Sequence, residues 1–227
     1  MIKACVFDAY GTLFDVAAAA RRAAEEPGRD AFAAVWSALA ETWRQKQLQY
    51  SWIRAIAGAY TDFWTVTTEA LDFALEAHDL GGDAALRERL LALYWELEAY
   101  REVPDMLATL KSEGFVTAIL SNGAPEMLSG AVESAGIAQH LDAVLSVASV
   151  GIFKPDARVY DLVGQTFDLD RTSVLFVSSN GWDVAAAAGY GFRTVWVNRR
   201  GEPVDRLPWI PERTLPDLSD IPALARP

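Results

Sequence analysis

Apolar and polar positions follow two different rhythms along the chain. A short apolar run, Ala4-Cys5-Val6-Phe7, stops at Asp8 and is soon followed by Gly11, which predicts a buried strand with Asp8 at its C-terminal end. From about Val16 to Tyr100 strand-like alternation disappears, and Ala, Leu, Trp, Glu and Arg dominate, so this stretch predicts helices. In the last of them Leu86, Leu90, Leu93 and Leu97 recur at spacings of four, three and four, which puts all four on one face. The Pro27-Gly28 and Gly81-Gly82 pairs break the helical stretch into pieces.

Beyond Tyr100 the pattern alternates. Pro104 suits a first helical turn, Met106, Leu107 and Leu110 form an apolar stripe, and Gly114 suits a helix end before a strand from Phe115 to Leu120. A helix around Glu126 to Ala135, a strand from Ala143 to Val147 and a helix from Asp156 to Thr166 come next. A strand from Val174 to Ser178, a helix near Val184 to Tyr190 and a strand from Thr194 to Val197 complete the series. The tail after Gly201, rich in Pro and Asp, predicts one short terminal element. Strands and helices in this order predict an α/β protein with a Rossmann-like, doubly wound parallel sheet. The expected organisation is a core formed by residues 1–15 and 101–227, interrupted after its first strand by a helical cap, residues 16–100. A pocket between cap and sheet would lie over the strand ends, where open α/β sheets place their chemistry.

Composition narrows the classes. With 227 residues, 52% of them hydrophobic, the chain can bury a large core, which excludes a disordered or fibrous protein. A formal charge of −11 opposes non-specific attraction to nucleic acid or anionic lipid, so neither is an expected partner. The single cysteine, Cys5, cannot form an internal disulfide and suits a reducing, cytoplasmic location. No apolar run approaches the ~18 residues of a membrane span, and a soluble protein is expected.

Four short segments carry candidate chemistry. The first, Phe7-Asp8-Ala9-Tyr10-Gly11-Thr12-Leu13-Phe14-Asp15, resembles the first signature of the haloacid dehalogenase superfamily, in the version found in 2-haloacid dehalogenases. Ser121-Asn122-Gly123 is similar to the second, Phe153-Lys154-Pro155-Asp156 to the third, and Ser178-Ser179-Asn180-Gly181-Trp182-Asp183 to the fourth. Trp43-Arg44-Gln45-Lys46-Gln47-Leu48-Gln49-Tyr50-Ser51-Trp52, in the expected cap, also resembles the dehalogenases. Lys154 stands out independently, since lysine occurs only at 3, 46, 111 and 154.

The resemblance implies Asp8 as nucleophile. Superfamily phosphatases carry an acid two residues later to protonate the leaving alcohol, and this chain has Tyr10 there. A halide is a weak base that needs no proton, so the exchange suits halide displacement. By the same resemblance Arg44 and Asn122 receive the halide, Ser121 and Lys154 hold the substrate carboxylate, and Asp183 activates water with Ser178 and Asn180 positioning it. Thr12 and Tyr160 complete the implied catalytic set. Ala9, Tyr10, Gln45, Leu48, Phe63 and Trp182 would line the substrate pocket. Only Asp8 and Asp183 offer carboxylates, too few to hold a divalent ion well, so neither metal nor cofactor is expected.

The expected activity is conversion of short L-2-haloacids to 2-hydroxy acids with inversion, through an aspartyl ester on Asp8. A phosphatase of the same fold and a non-catalytic anion-binding protein remain as alternatives. His78 and His140 lie outside every segment and receive no role. A homodimer is expected from the resemblance.

Overall fold

The computed structural model describes residues 1–95 and 97–226. It begins with β1 (Ala4–Phe7) and continues through α1 (Ala18–Ala24), α2 (Asp30–Ala33), α3 (Trp36–Ala57), α4 (Phe63–Ala77) and α5 (Ala84–Tyr94). Then α6 (Val103–Ser112), β2 (Val116–Ser121), α7 (Pro125–Ser134), β3 (Ala143–Ser146) and α8 (Ala157–Phe167) alternate. The chain ends with β4 (Val174–Ser178), α9 (Gly181–Tyr190), β5 (Arg193–Val197), β6 (Arg213–Leu215) and α10 (Ile221–Ala225).

The six strands form one sheet in the order β3-β2-β1-β4-β5-β6, with every neighbouring pair parallel. This is the α/β, doubly wound arrangement that the alternation of elements predicts. β1 lies in the middle with all four of its residues buried, which is why its sequence reads as an unbroken apolar run. Phe7 pairs in register with Ile119 of β2 and Val177 of β4. Asp8 therefore falls level with Leu120 and Ser178, and its N–H still donates to the Val177 carbonyl at 2.9 Å. Strand order reverses between β1 and β4, and that switch point opens a crevice at the C-terminal edge.

Local chemistry sets the helix ends. Asp62, Asp83 and Asp156 cap α4, α5 and α8 by accepting from the backbone N–H groups of Thr65, Leu86 and Arg158. In the long α3 the residues buried along one face are Leu39, Trp43, Gln47 and Ser51, spaced by four. Arg44 and Leu48 stand one position further round, at the edge of that stripe.

Two expectations change. The leucine spacing extends the fifth helix to Leu97, but α5 ends at Tyr94. Leu97 is buried all the same, because the chain turns there to pair with the outgoing connection from β1. The Asp15 N–H donates to the Glu98 carbonyl and the Tyr100 N–H to the Leu13 carbonyl, both at 2.9 Å, and Phe14 bridges Ala99 in antiparallel fashion. The tail also carries two elements rather than one, because Arg213–Leu215 adds a sixth strand beside β5 before α10.

No helix among the described residues is long and apolar enough to cross a membrane. Cys5 is fully buried in β1, and burial pushes its thiol up to about 12. Iodoacetamide at pH 8 should therefore leave the folded protein unlabelled and modify Cys5 only in denaturant, as intact mass will report. Rapid labelling of the native state would contradict the placement of this strand.

Candidate active site

The strand ends bring four side chains onto one carboxylate. Asp8, itself 6% exposed, accepts from Lys154 Nζ at 3.2 Å through Oδ1. Its Oδ2 accepts from Asn180 Nδ2 at 2.8 Å, Thr12 Oγ1 at 3.2 Å and Ser178 Oγ at 3.4 Å. Thr12 is in turn fixed by the Ser179 N–H, which donates to Oγ1 at 2.8 Å, while the Ser178 hydroxyl accepts from the Asn180 N–H at 3.1 Å.

Lys154 is 1% exposed and reaches a second carboxylate, Asp183 Oδ2, at 2.8 Å. Asp183 is completely buried near the start of α9 and accepts from Tyr160 OH at 2.7 Å through its other oxygen. Burial alone would lower the lysine, but Asp183 and Asp8 outweigh it and raise Lys154 above its ordinary 10.5. Burial pushes Asp183 above the usual carboxylate range, Lys154 pulls it back, and Asp8 adds to the rise. Tyr160 is driven well above 10 by burial and by Asp183, so its phenol stays a donor.

Around this centre, Ser121 accepts from the Gly123 N–H at 3.1 Å, and Asn122 Oδ1 accepts from the Lys154 N–H at 2.9 Å, which ties the β2 loop to the lysine loop. The Ala9 carbonyl accepts from the N–H groups of Thr12, Leu13 and Phe14 and so winds the loop after Asp8 into a tight turn. The Tyr10 ring stacks on Phe63 with centroids 6.0 Å apart and lies 5.7 Å from Tyr94. A Cβ at Gly123 would come within 2.8 Å of this ring, so only glycine allows the approach. The Tyr10 hydroxyl is buried without a hydrogen-bond partner.

From the helical side, Arg44 Nη2 donates to Asn180 Oδ1 at 3.0 Å, so one asparagine bridges the guanidinium and the Asp8 carboxylate. Arg44 lines two cavities. One, of about 830 Å³, is also bounded by Trp43, Gln47 and Tyr94, and the other, of about 280 Å³, by Leu48, Asn180 and Trp182. Asp8 lines neither, and Arg44 is linked to its carboxylate through Asn180.

One expected pocket residue is not brought here. Gln45 lies on the exposed side of α3, where its amide donates to Glu41 at 3.0 Å. The buried glutamine is Gln47, whose amide nitrogen donates to Thr67 Oγ1 at 3.0 Å and Tyr94 OH at 3.1 Å. A register of four counted from Leu39 and Trp43 points to Gln47. Ser179, which fixes Thr12, also joins the site without having been expected there.

A divalent cation, the habitual companion of superfamily phosphatases, does not fit these residues. The space between the two carboxylates holds the Lys154 ammonium, which repels a second cation, and hard ions need more oxygen ligands than two carboxylates supply. Among the described residues no group of three or more His, Cys, Asp or Glu could hold a metal ion.

Crevice, lysine-bridged carboxylates and sheet order together define a class. Residues 2–191 match the family model of the haloacid dehalogenase-like hydrolases, and the chain belongs to that family. Within it, the chain is 46% identical to (S)-2-haloacid dehalogenase 1 of Pseudomonas sp. strain CBS-3, over 98% of this chain and 96% of that protein. It is 45% identical to (S)-2-haloacid dehalogenase 4A of Burkholderia cepacia, over 89% of this chain and 85% of that one. Among solved structures, the L-2-haloacid dehalogenase of Xanthobacter autotrophicus with chloropropionic acid covalently bound matches with a TM-score of 0.87 at 38% identity, covering 100% of this chain and 99% of that chain.

The buried charges make a stability prediction. Replacing Lys154 by Met leaves two carboxylates without their counter-charge, and urea unfolding near pH 7 should show a loss of about 3–5 kcal/mol. Asp183, raised by burial and without the cation that pulls it back, then binds its proton more tightly folded than unfolded, so stability falls as pH rises through and above the ordinary carboxylate range. The deficit should grow from pH 5 to pH 8 and shrink when Asp183→Asn is added. A deficit independent of pH would contradict the pairing.

Proposed function

We propose that the chain hydrolyses short L-2-haloalkanoic acids to 2-hydroxy acids with inversion, using an aspartyl ester on Asp8 and neither metal nor cofactor. The observation that carries this reading is the Asp8 carboxylate itself. It is held by Lys154, Thr12, Asn180 and Ser178, with Arg44 one asparagine away and a tyrosine, not an acid, at position 10. The relatives named above are haloacid dehalogenases, which supports the same activity here.

In this mechanism three donors occupy Oδ2 and one occupies Oδ1, so Oδ1 keeps the freer lone pair and attacks. A bond forms from Oδ1 to the carbon bearing halogen, opposite the halide, which departs with the electron pair of the broken bond. Lys154, with its remaining proton, and Ser121, through its hydroxyl, hold the substrate carboxylate. Arg44 and Asn122 receive the halide, and Ala9, Tyr10, Leu48, Phe63 and Trp182 enclose the alkyl group. Water then attacks the Asp8 carboxyl carbon, giving one proton to Asp183, with Tyr160 fixing that base and Ser178 and Asn180 positioning the water. Collapse expels the product oxygen, which takes the proton back from Asp183, and Asp8 returns to carboxylate by releasing the last proton. Carbon inverts once. Raising Asp183 by burial makes it a stronger base than an ordinary carboxylate.

In the same reading residues 16–100 form a cap over a core made of residues 1–15 and 101–227, and the lone, disulfide-free Cys5 suits a cytoplasmic enzyme. Ile56 is 88% and Trp209 52% exposed, and both border an apolar groove of about 620 Å³. A second copy of the chain is the occupant we assign to it, giving a homodimer.

Chloride release from L-2-chloropropionate, unaffected by excess chelator, is the direct test. Asp8→Asn should remove at least about 10³-fold of it. Asp183→Asn should slow ester hydrolysis more than its formation, so an adduct on Asp8 accumulates in intact-mass spectra. Phosphate-ester hydrolysis that depends on added magnesium would favour a phosphatase instead. For the dimer, Ile56→Asp should halve the mass in sedimentation equilibrium, and a monomeric wild type would reject it.

A further inference from the structure

Arg199, just beyond β5, joins three parts of the chain. Its Nη2 donates to the Thr12 carbonyl at 3.1 Å and lies 2.7 Å from Glu102 Oε1 as an ion pair without hydrogen-bond alignment, and its guanidinium carbon lies 3.7 Å from the centroid of the Tyr100 ring. About four-fifths of the side chain is buried. Thr12 belongs to the connection that leaves β1 for the helical stretch, and Tyr100 and Glu102 to the connection that returns. Those two connections already pair with each other through Leu13, Asp15, Glu98 and Tyr100. Thr12 also carries the hydroxyl that donates to Asp8 Oδ2.

We propose that Arg199 is a positioning residue, which ties both connections to the edge of the sheet and, through the Thr12 peptide, fixes the orientation of the Asp8 carboxylate. The chemistry asks for arginine. A planar guanidinium can stack on the Tyr100 ring while donating to a carbonyl and facing a carboxylate with its charge, whereas an ammonium has no face to stack. A carbonyl held by a charged donor is fixed more firmly than by a neutral one. Thr12 Oγ1 has one proton and two acceptors within 3.2 Å, Asp8 Oδ2 and Ser179 Oγ, so a small rotation of its peptide redirects that proton away from the nucleophile.

The kinetic part of the test rests on the dehalogenase reading, and the exchange part does not. In Arg199→Met, amide hydrogen exchange should speed up over residues 9–15 and 97–102 while the strands β2 and β4 keep their protection. The turnover number should fall by about 10–100-fold with KM nearly unchanged, because misplacement of a reacting group costs rate rather than binding. Thr12→Val should lower turnover as well, and the double variant should be no slower than the slower single one, since both act through one hydroxyl. Glu102→Gln, which removes the ion pair and keeps the arginine, should shift exchange in the same direction by less. Unchanged exchange over both connections in Arg199→Met and Glu102→Gln would overturn the proposal, and so would losses that multiply in the double variant. If wild type releases no chloride, the functional reading fails, and the exchange result alone decides whether Arg199 holds the connections.

Discussion

A single ammonium between two carboxylates, all three buried, is the constraint on which the structure turns. Lys154 lies 3.2 Å from Asp8 and 2.8 Å from Asp183, with almost no water to screen any of them. Buried charges persist only when paired and hydrogen-bonded. Each carboxylate accordingly has further donors, Thr12, Asn180 and Ser178 on Asp8 and Tyr160 on Asp183. One cation does not balance two anions, and Asp183 is displaced upward, first by its burial and then by Asp8, against the pull of Lys154. An anionic ligand would worsen the imbalance, which gives the Arg44 guanidinium, reaching the group through Asn180, an electrostatic reason to be there.

Topology makes the triplet possible. Asp8 and Lys154 are separated by 146 positions and Lys154 and Asp183 by 29, yet they meet because a parallel sheet sends all its strand ends to one edge. β1 lies between β2 and β4, so Asp8 is flanked by the loop at Ser121 and the loop at Ser178. Arg44 alone of the charged partners comes from the helical stretch, and it arrives because the i, i+4 stripe of α3 buries Trp43 against Tyr94 and leaves its neighbour at the stripe's edge.

Residues whose place follows from strand ends and local segments were legible in the sequence. Asp8, Ser121 and Ser178 each sit at or just beyond an apolar strand, so the pattern that predicts the strand also predicts their edge, whereas Lys154, ahead of α8, and Asp183, inside α9, were read from their local segments. Residues whose role follows from packing were harder to read. Resemblance favoured Gln45 on α3, while helical phase buries Gln47, and only the second criterion contains geometry. Leu97 continues the leucine spacing, but its burial comes from a connection that pairs with residues 13–15, and no local pattern reports a partner some 80 residues away. The three-residue β6 is too short to show an alternation at all. Arg199 gives no signal in Val197-Asn198-Arg199-Arg200, because its partners come from both connections of the helical stretch.

The tyrosine at position 10 and the poor fit for a cation are one electrostatic fact. A carboxylate there would bring a third negative charge to a pocket that already holds two against one ammonium, and such a cluster calls for a divalent ion. Tyr10 brings no charge, since burial, with added pressure from Tyr94 and Asp8, drives its phenol well above 10. Its ring instead fills space against Phe63 and Tyr94 over a glycine that can accept nothing larger. The same residue removes the acid that an alkoxide leaving group would need and keeps the excess at two carboxylates against one ammonium, which the centre holds without a metal ion. A leaving group that departs as a stable anion asks for neither.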